Sequence, residues 1–300
     1  MSQRGQTSRA QWLRRLALRR DHKTCFVFSG GGPLAALQVG ATLALFDHGI
    51  RPDLVVGTSA GALNATLIAY DPTPGGVRTL EQIWRRLSDE DLFPGGRFRA
   101  SWTRMLRRGD RVFDNSGIAR LIDGEGLTDA LIEEAAIPLG VVATDLETGD
   151  EVVFRNGRLR EALMASSAMP SVFPPVDIEG RRYIDGGVAD NVPIKPALDM
   201  GAETLYVMNS TSHTNQRRPL VRPMDYLLHA FTLARSQRFV SDVDRYSQRA
   251  QLIILPASTL DFFVPFASME FTGQLIERAY EDTSRYLEAH AKPGSQLQAE

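Results

Sequence analysis

The amino-acid sequence predicts an α/β fold, a three-layer α/β/α arrangement about a mostly parallel central sheet. Three observations point that way. Short apolar runs of strand length alternate with segments of helical spacing, the pattern of repeated β-α-β units. Several of those runs end in glycine-rich turns, where a buried strand hands over sharply to the next element. With 300 residues and 43% hydrophobic content, the chain can close one large core.

The elements follow in order. Thr24 to Ser29 reads as a buried parallel strand that runs into Gly30-Gly31-Gly32. Leu34 to His48 reads as a helix with Pro33 at its start and Gly49 as its stop. Asp53 to Gly57 is a second apolar strand, and Ala60 to Tyr70 resumes helical spacing after a Gly-Thr-Ser-Ala-Gly turn, completing a β-α-β unit. Pro138 to Thr144 and Glu151 to Phe154 read as strands around the turn Thr148-Gly149-Asp150, and Arg182 to Asp185 as a short strand entering another glycine turn. Ala202 to Asn209 and Gln251 to Leu255 are two further parallel strands, separated by a helix from Met224 to about Arg245. The expected division is a basic extension over residues 1–22, a domain over 23–290 and a polar tail over 291–300.

A formal net charge of -2 gives no global reason to expect nucleic acid as a partner. Cys25 is the single cysteine, so no intrachain disulfide can form, and its setting in Cys25-Phe26-Val27-Phe28 makes it a buried strand residue rather than a nucleophile. No stretch approaches the ~20 apolar residues of a membrane span, and no signal-like apolar region is present near the N-terminus. The expectation is a cytoplasmic protein, with peripheral membrane contact through Trp12, Leu13 and Leu16 of the basic segment Gln11 to Arg20 as an alternative to a solvated extension.

The chemistry gathers at Gly57-Thr58-Ser59-Ala60-Gly61, which fits the nucleophile-elbow pattern of a serine on a sharp strand-to-helix turn. At a helix start, an anion on Ser59 meets free backbone N–H groups and the helix dipole. Neighbouring parallel strands end side by side, so the Gly30-Gly31-Gly32 loop is expected beside Ser59, its N–H groups aimed at a developing oxyanion. The same loop followed by Leu34-Ala35 also satisfies a dinucleotide-binding pattern. That reading wants an acid at the end of the second strand, and Asp53 begins it instead.

An activated serine needs a base. His213, His229 and His290 are the histidines placed for the Ser-Asp-His order, but none sits by a glycine turn and His229 lies within an apolar helical stretch. Tyr183-Ile184-Asp185-Gly186-Gly187 instead puts a carboxylate at a strand end, where partial burial raises its pKa toward the working range. An Asp-Gly turn without chemistry is the plain alternative.

Together, Gly30-Gly31-Gly32, Gly57-Thr58-Ser59-Ala60-Gly61, Ala165-Ser166-Ser167-Ala168-Met169-Pro170 leading to Phe173-Pro174-Pro175, and Asp185-Gly186-Gly187 resemble the patatin-like phospholipases over roughly Lys23 to Asn209. The resemblance implies a patatin-like α/β/α domain and a lipid acyl hydrolase that uses no metal or cofactor. It assigns Ser59 as nucleophile, Asp185 as base and Gly30, Gly31 and Gly32 to the oxyanion loop. The sequence departs from the family at Leu34 and Ala35, where a basic residue and a glycine usually follow the loop. A catalytically weak lipid-binding or regulatory module is therefore the second reading.

The implied partner is a lipid or amphipathic ester. Between Phe93 and Phe113, Phe98, Trp102, Met105, Leu106 and Phe113 interleave with Arg97, Arg99, Arg104, Arg107, Arg108 and Arg111, as suits a lipid surface or a helix packed by one face. Phe262-Phe263-Val264-Pro265-Phe266 reads as an acyl-pocket lining or as ordinary core.

Overall fold

The computed structural model describes residues 23–92, 115–170, 172–210, 223–256, 258, 264 and 268–290. The basic segment at 11–20, the aromatic and arginine segment at 93–113, His213, Phe262, Phe263, Pro265, Phe266 and the tail at 291–300 lie outside the described residues.

Among the described residues eight strands form one sheet: β1 (Thr24–Phe28), β2 (Leu54–Thr58), β3 (Leu139–Asp145), β4 (Glu151–Phe154), β5 (Val176–Ile178), β6 (Arg181–Asp185), β7 (Thr204–Met208) and β8 (Gln251–Ile254). The helices are α1 (Ala36–Asp47), α2 (Ala60–Tyr70), α3 (Pro74–Arg86), α4 (Asp89–Leu92), α5 (Ser116–Gly124), α6 (Leu159–Ser166), α7 (Ile194–Asp199), α8 (Pro223–Tyr246) and α9 (Thr272–His290). Strand neighbours run β5-β6-β3-β2-β1-β7-β8, with β4 also paired to β3. The pairs from β3 through β2, β1 and β7 to β8 are parallel, whereas β4, β5 and β6 run antiparallel to their partners.

The two-residue period of β1 sorts the core into two layers. Phe26 and Phe28 pack with Leu45, Ala62, Leu80 and Leu275, from α1, α2, α3 and α9. Cys25 and Val27 face the other side, with Ile194 and Ala197 of α7 and Phe239, Val243 and Tyr246 of α8. The sheet is thus covered on both faces, and the three-layer expectation is met.

Differences from the sequence reading are local and have physical causes. The first helix begins at Ala36, because Gly32–Ala35 forms a tighter 3-10 turn around Pro33. The strand ending at Asp185 is the second arm of a hairpin whose first arm, β5, shows no apolar run: Val176 and Ile178 are only partly buried. The sequence reading assigns no element to Thr272–His290, yet this segment forms α9, which packs closely along α1 through Leu275, Ile276 and Ala279 at helical spacing. Cys25 is fully buried, and burial pushes its thiol far above the usual range, as a structural strand residue requires.

Candidate functional site

The pairing around β3 explains why two residues 126 positions apart meet. β4 and β6 both pair with Ala143 and Thr144, so they occupy opposite edges of β3, and β2 shares Val141 and Val142 with β4. β2 and β6 therefore follow one another along the same edge. Thr58 stands opposite Val142 and Asp185 opposite the next residue, Ala143. One residue past Thr58, the Ser59 hydroxyl donates to Asp185 Oδ2 at 2.6 Å.

Ser59 occupies a strained turn. Its φ of 55° and ψ of -129° are unusual for a residue with a side chain, a conformation that costs on the order of 1–3 kcal/mol and needs support from its surroundings. The support is visible. A Cβ on Gly61 would overlap the Ser29 and Phe28 carbonyl oxygens, so this approach of α2 to β1 admits glycine alone. The Ser59 N–H donates to Ser166 Oγ at 2.8 Å, and Ser166 Oγ in turn donates to Val142 O at 2.6 Å. Ser166 therefore ties the turn to β3 from the end of α6.

Asp185 is buried, and each carboxylate oxygen is held. Oδ2 accepts from Ser59, and Oδ1 accepts from the Gly187 N–H at 2.7 Å. Burial raises its pKa above the ordinary carboxylate value, while the Ser59 hydrogen bond, the nearby Arg235 charge and the Gly187 N–H oppose the rise. Such a carboxylate, bonded to a hydroxyl, has the geometry to take the hydroxyl's proton.

The glycine loop lies against this pair. A Cβ on Gly30 would sit 3.3 Å from Ser59 Cβ and 2.6 Å from Asn191 Oδ1. The three N–H groups are not equivalent. That of Gly30 already donates to Asn191 O at 3.0 Å, whereas among the described residues those of Gly31 and Gly32 show no hydrogen bond. The loop is braced from below by buried amides. Trp84 Nε1 donates to Asn64 Oδ1 at 2.6 Å, Asn64 Nδ2 to Gln38 Oε1 at 2.8 Å, and Gln38 Nε2 to Ser29 O at 2.7 Å. Ser210 packs against the loop at Gly31. A shallow cleft lies there, with Leu37, Gln38, Met208, Ser210, Leu255 and Ala279 in its wall.

The structure thus brings together Ser59, Asp185, Gly30, Gly31 and Gly32, all of which the sequence singled out. Among the described residues it keeps the histidines apart from them. His48 and His290 bond to carbonyl oxygens of their own helices, and His229 is exposed on α8. Asp53, the residue a dinucleotide reading would need, accepts from Thr24 N at 2.8 Å at the opposite end of the strands. Among the described residues no group of His, Cys, Asp and Glu is placed to hold a metal ion. Ser166, Asn191 and Arg235 are contributors that the sequence reading did not assign. Ser166 sat inside a quoted motif, whereas Arg235 has no sequence signal at all.

The family model described as patatin-like phospholipase matches residues 26–198. The chain belongs to that family. Among patatin-like relatives, a domain-containing protein of Caenorhabditis elegans is 29% identical over 206 residues, 63% of this chain and 14% of the relative. An uncharacterized NTE family protein of Mycobacterium tuberculosis is 29% identical over 192 residues, 60% of this chain and 47% of its own length. A lysophospholipase of Eremothecium gossypii is 27% identical over 208 residues, covering 67% of this chain and 12% of the relative. The chain therefore spans half or less of these relatives. Of solved structures, VipD from Legionella pneumophila matches 90% of this chain and 67% of its own, with a TM-score of 0.45 at 14% identity. The patatin-like fold of this chain rests on its own topology and family match.

Proposed function

We propose that this patatin-like chain is a serine lipid acyl hydrolase of phospholipase A or esterase type, with its hydrolase domain within residues 23–290. The observation that carries the reading is the 2.6 Å hydrogen bond from Ser59 Oγ to the buried carboxylate of Asp185. In this reaction Asp185 accepts the Ser59 proton as Oγ attacks the ester carbonyl carbon. The carbonyl oxygen becomes an oxyanion, which meets the N–H groups of Gly31, Gly32 and Ala60, the last at the start of α2. Collapse of the tetrahedral species breaks the ester C–O bond, and the proton returns from Asp185 to the leaving alcohol. Water then repeats the sequence on the acyl-serine, releasing a fatty acid and regenerating Ser59. Because the Gly30 N–H is held by Asn191 O, Gly30 serves to let Ser59 and the loop approach rather than to donate.

The substrate follows from the family: a lipid or amphipathic ester, met at a membrane surface. Tyr226, Leu233 and Val240 are exposed on α8 at seven-residue spacing, which supports contact with such a surface. Among the described residues no helix is long and apolar enough to cross a membrane. Leu34, in the place of the usual basic residue, favours the second reading of a weakly active lipid-binding module. Two measurements decide between them: hydrolysis of a short chromogenic ester, and labelling by a fluorophosphonate. Ser59→Ala should abolish both and Asp185→Asn should abolish hydrolysis, with the fold retained. Turnover that survives in Ser59→Ala excludes the hydrolase reading, and an unlabelled wild-type protein leaves the binding module.

A further inference from the structure

The strongest feature unused by this mechanism is a guanidinium that enters the site from α8. Arg235 Nη2 donates to Gly30 O at 3.4 Å, on the glycine loop itself. A Cβ on Gly30 would stand 3.3 Å from that nitrogen, and one on Gly187 would stand 3.2 Å from it and 2.9 Å from Asp185 Oδ1. The guanidinium and the carboxylate thus face each other across space that two glycines leave open. Arg235 lies over the Phe231 ring at 5.1 Å, one turn back on the same helix, and its Nε is buried with no hydrogen-bond partner among the described residues. A cation held this way is costly unless an anion nearby repays it. After the Ser59 hydrogen bond, and together with the Gly187 N–H, its charge opposes the effect of burial on Asp185, and desolvation in turn lowers the Arg235 pKa.

We infer that Arg235 is a positioning residue of the Ser59–Asp185 pair, a cation delivered from α8 that faces the Asp185 carboxylate across Gly187 and pins the glycine loop through Gly30 O. It supplies from a distant helix the positive charge that the loop lacks at Leu34. The other charged groups near this face form a separate cluster. Arg238, one turn further along α8, approaches Glu151 of β4 at 3.5 Å, Asp190 at 3.9 Å and Asp242 at 3.3 Å, while Lys195 of α7 lies 3.9 Å from Glu151. His229, also on α8, is exposed to solvent.

The inference rests on the hydrolase reading, and the test separates the two. The rate of fluorophosphonate labelling is followed against pH for the wild-type protein, Ser59→Ala, Arg235→Gln and Arg235→Lys. Labelling absent in Ser59→Ala supports the hydrolase reading whatever Arg235 does. Arg235→Gln should move the rising limb to higher pH, because a buried carboxyl that loses this opposing charge stays protonated longer, with a rate on the order of tenfold lower at about pH 6. Arg235→Lys should restore most of the rate and return the limb toward its wild-type position. Should Arg235→Gln fail to fold, Arg235→Met, which keeps the packing on Phe231, carries the same comparison. An unmoved limb in the neutral variant overturns the inference. So does a loss confined to KM for a phosphate-bearing ester with a neutral p-nitrophenyl ester unaffected, which would assign Arg235 to the substrate's head group.

Discussion

The two halves of the site are held by different kinds of force. On the Ser59 side, the nearest neighbours of a Cβ at Gly57 or Gly61 are backbone atoms, and the walls are parallel strands and helices buried on both faces. On the Asp185 side, the nearest neighbours of a Cβ at Gly187 are side-chain ends: Asn191 Oδ1, Asp185 Oδ1 and Arg235 Nη2. The first half fixes where the hydroxyl is. In the proposed mechanism the second fixes what protonation state meets it. Geometry and charge are thus assigned to separate parts of the fold, and substitutions should divide the same way.

The largest expected effect sits in the backbone-defined half. Gly61→Ala places a methyl group in the Ser29 and Phe28 carbonyls, which cannot move without separating α2 from β1, so a loss of about 3 kcal/mol or more is expected. Gly187→Ala meets side chains that can rotate away, so it should fold with a nearly unchanged Tm and lose hydrolysis instead. Thermal melts beside activity measurements check both. Equal Tm losses in the two variants would dissolve the distinction.

Next comes the amide chain beneath the glycine loop. Asn64→Leu leaves Trp84 Nε1, Gln38 Oε1 and Ala35 O without the partners they now have. Buried polar groups left unpaired cost about 1–3 kcal/mol each, and the loop's entry at Ser29 O loses its brace. The expected result in a denaturant melt is a loss of about 2–4 kcal/mol. Ser166→Ala should cost less, about 1–2 kcal/mol, because it unpairs only Ser59 N and Val142 O. Its effect on hydrolysis should exceed its effect on stability, since the strained Ser59 turn is what it releases.

This division also accounts for what the sequence could show. The Ser59 half is written in local patterns: strand, glycine turn and helix follow one another from Val55 to Tyr70, and the boundaries fall within one residue of the reading. Apolar runs likewise revealed β7 and β8, because parallel strands covered on both faces are apolar throughout. The Asp185 half is made by long-range pairing. The β5–β6 hairpin has exposed arginines at Arg181 and Arg182, and its position along β3 is a matter of register, which periodicity does not encode. Arg235 is the extreme case, one of three arginines on a long helix, whose direction is set only when α8 packs over the sheet. The Gly30 N–H is a smaller instance: its commitment to Asn191 O depends on a segment 161 positions away.

The smallest effect probes the charged half where it is furthest from the reacting atoms. Asp190 is buried, with its Oδ1 accepting from Val192 N at 3.1 Å. Burial pushes its pKa well above the ordinary value, the neighbouring Glu151 carboxylate adds to the rise, and Arg238 opposes it. The folded protein then binds a proton that the unfolded chain has already lost, so stability falls as pH rises from the ordinary carboxylate range through the raised value. Asp190→Asn keeps the oxygen that caps Val192 and removes this titration. Its Tm should match the wild type at about pH 4 and exceed it modestly at about pH 8. A destabilised variant at the higher pH would mean that Arg238 draws more from the ionised carboxylate than burial costs. The charged half would then hold the fold together as well as tune its chemistry.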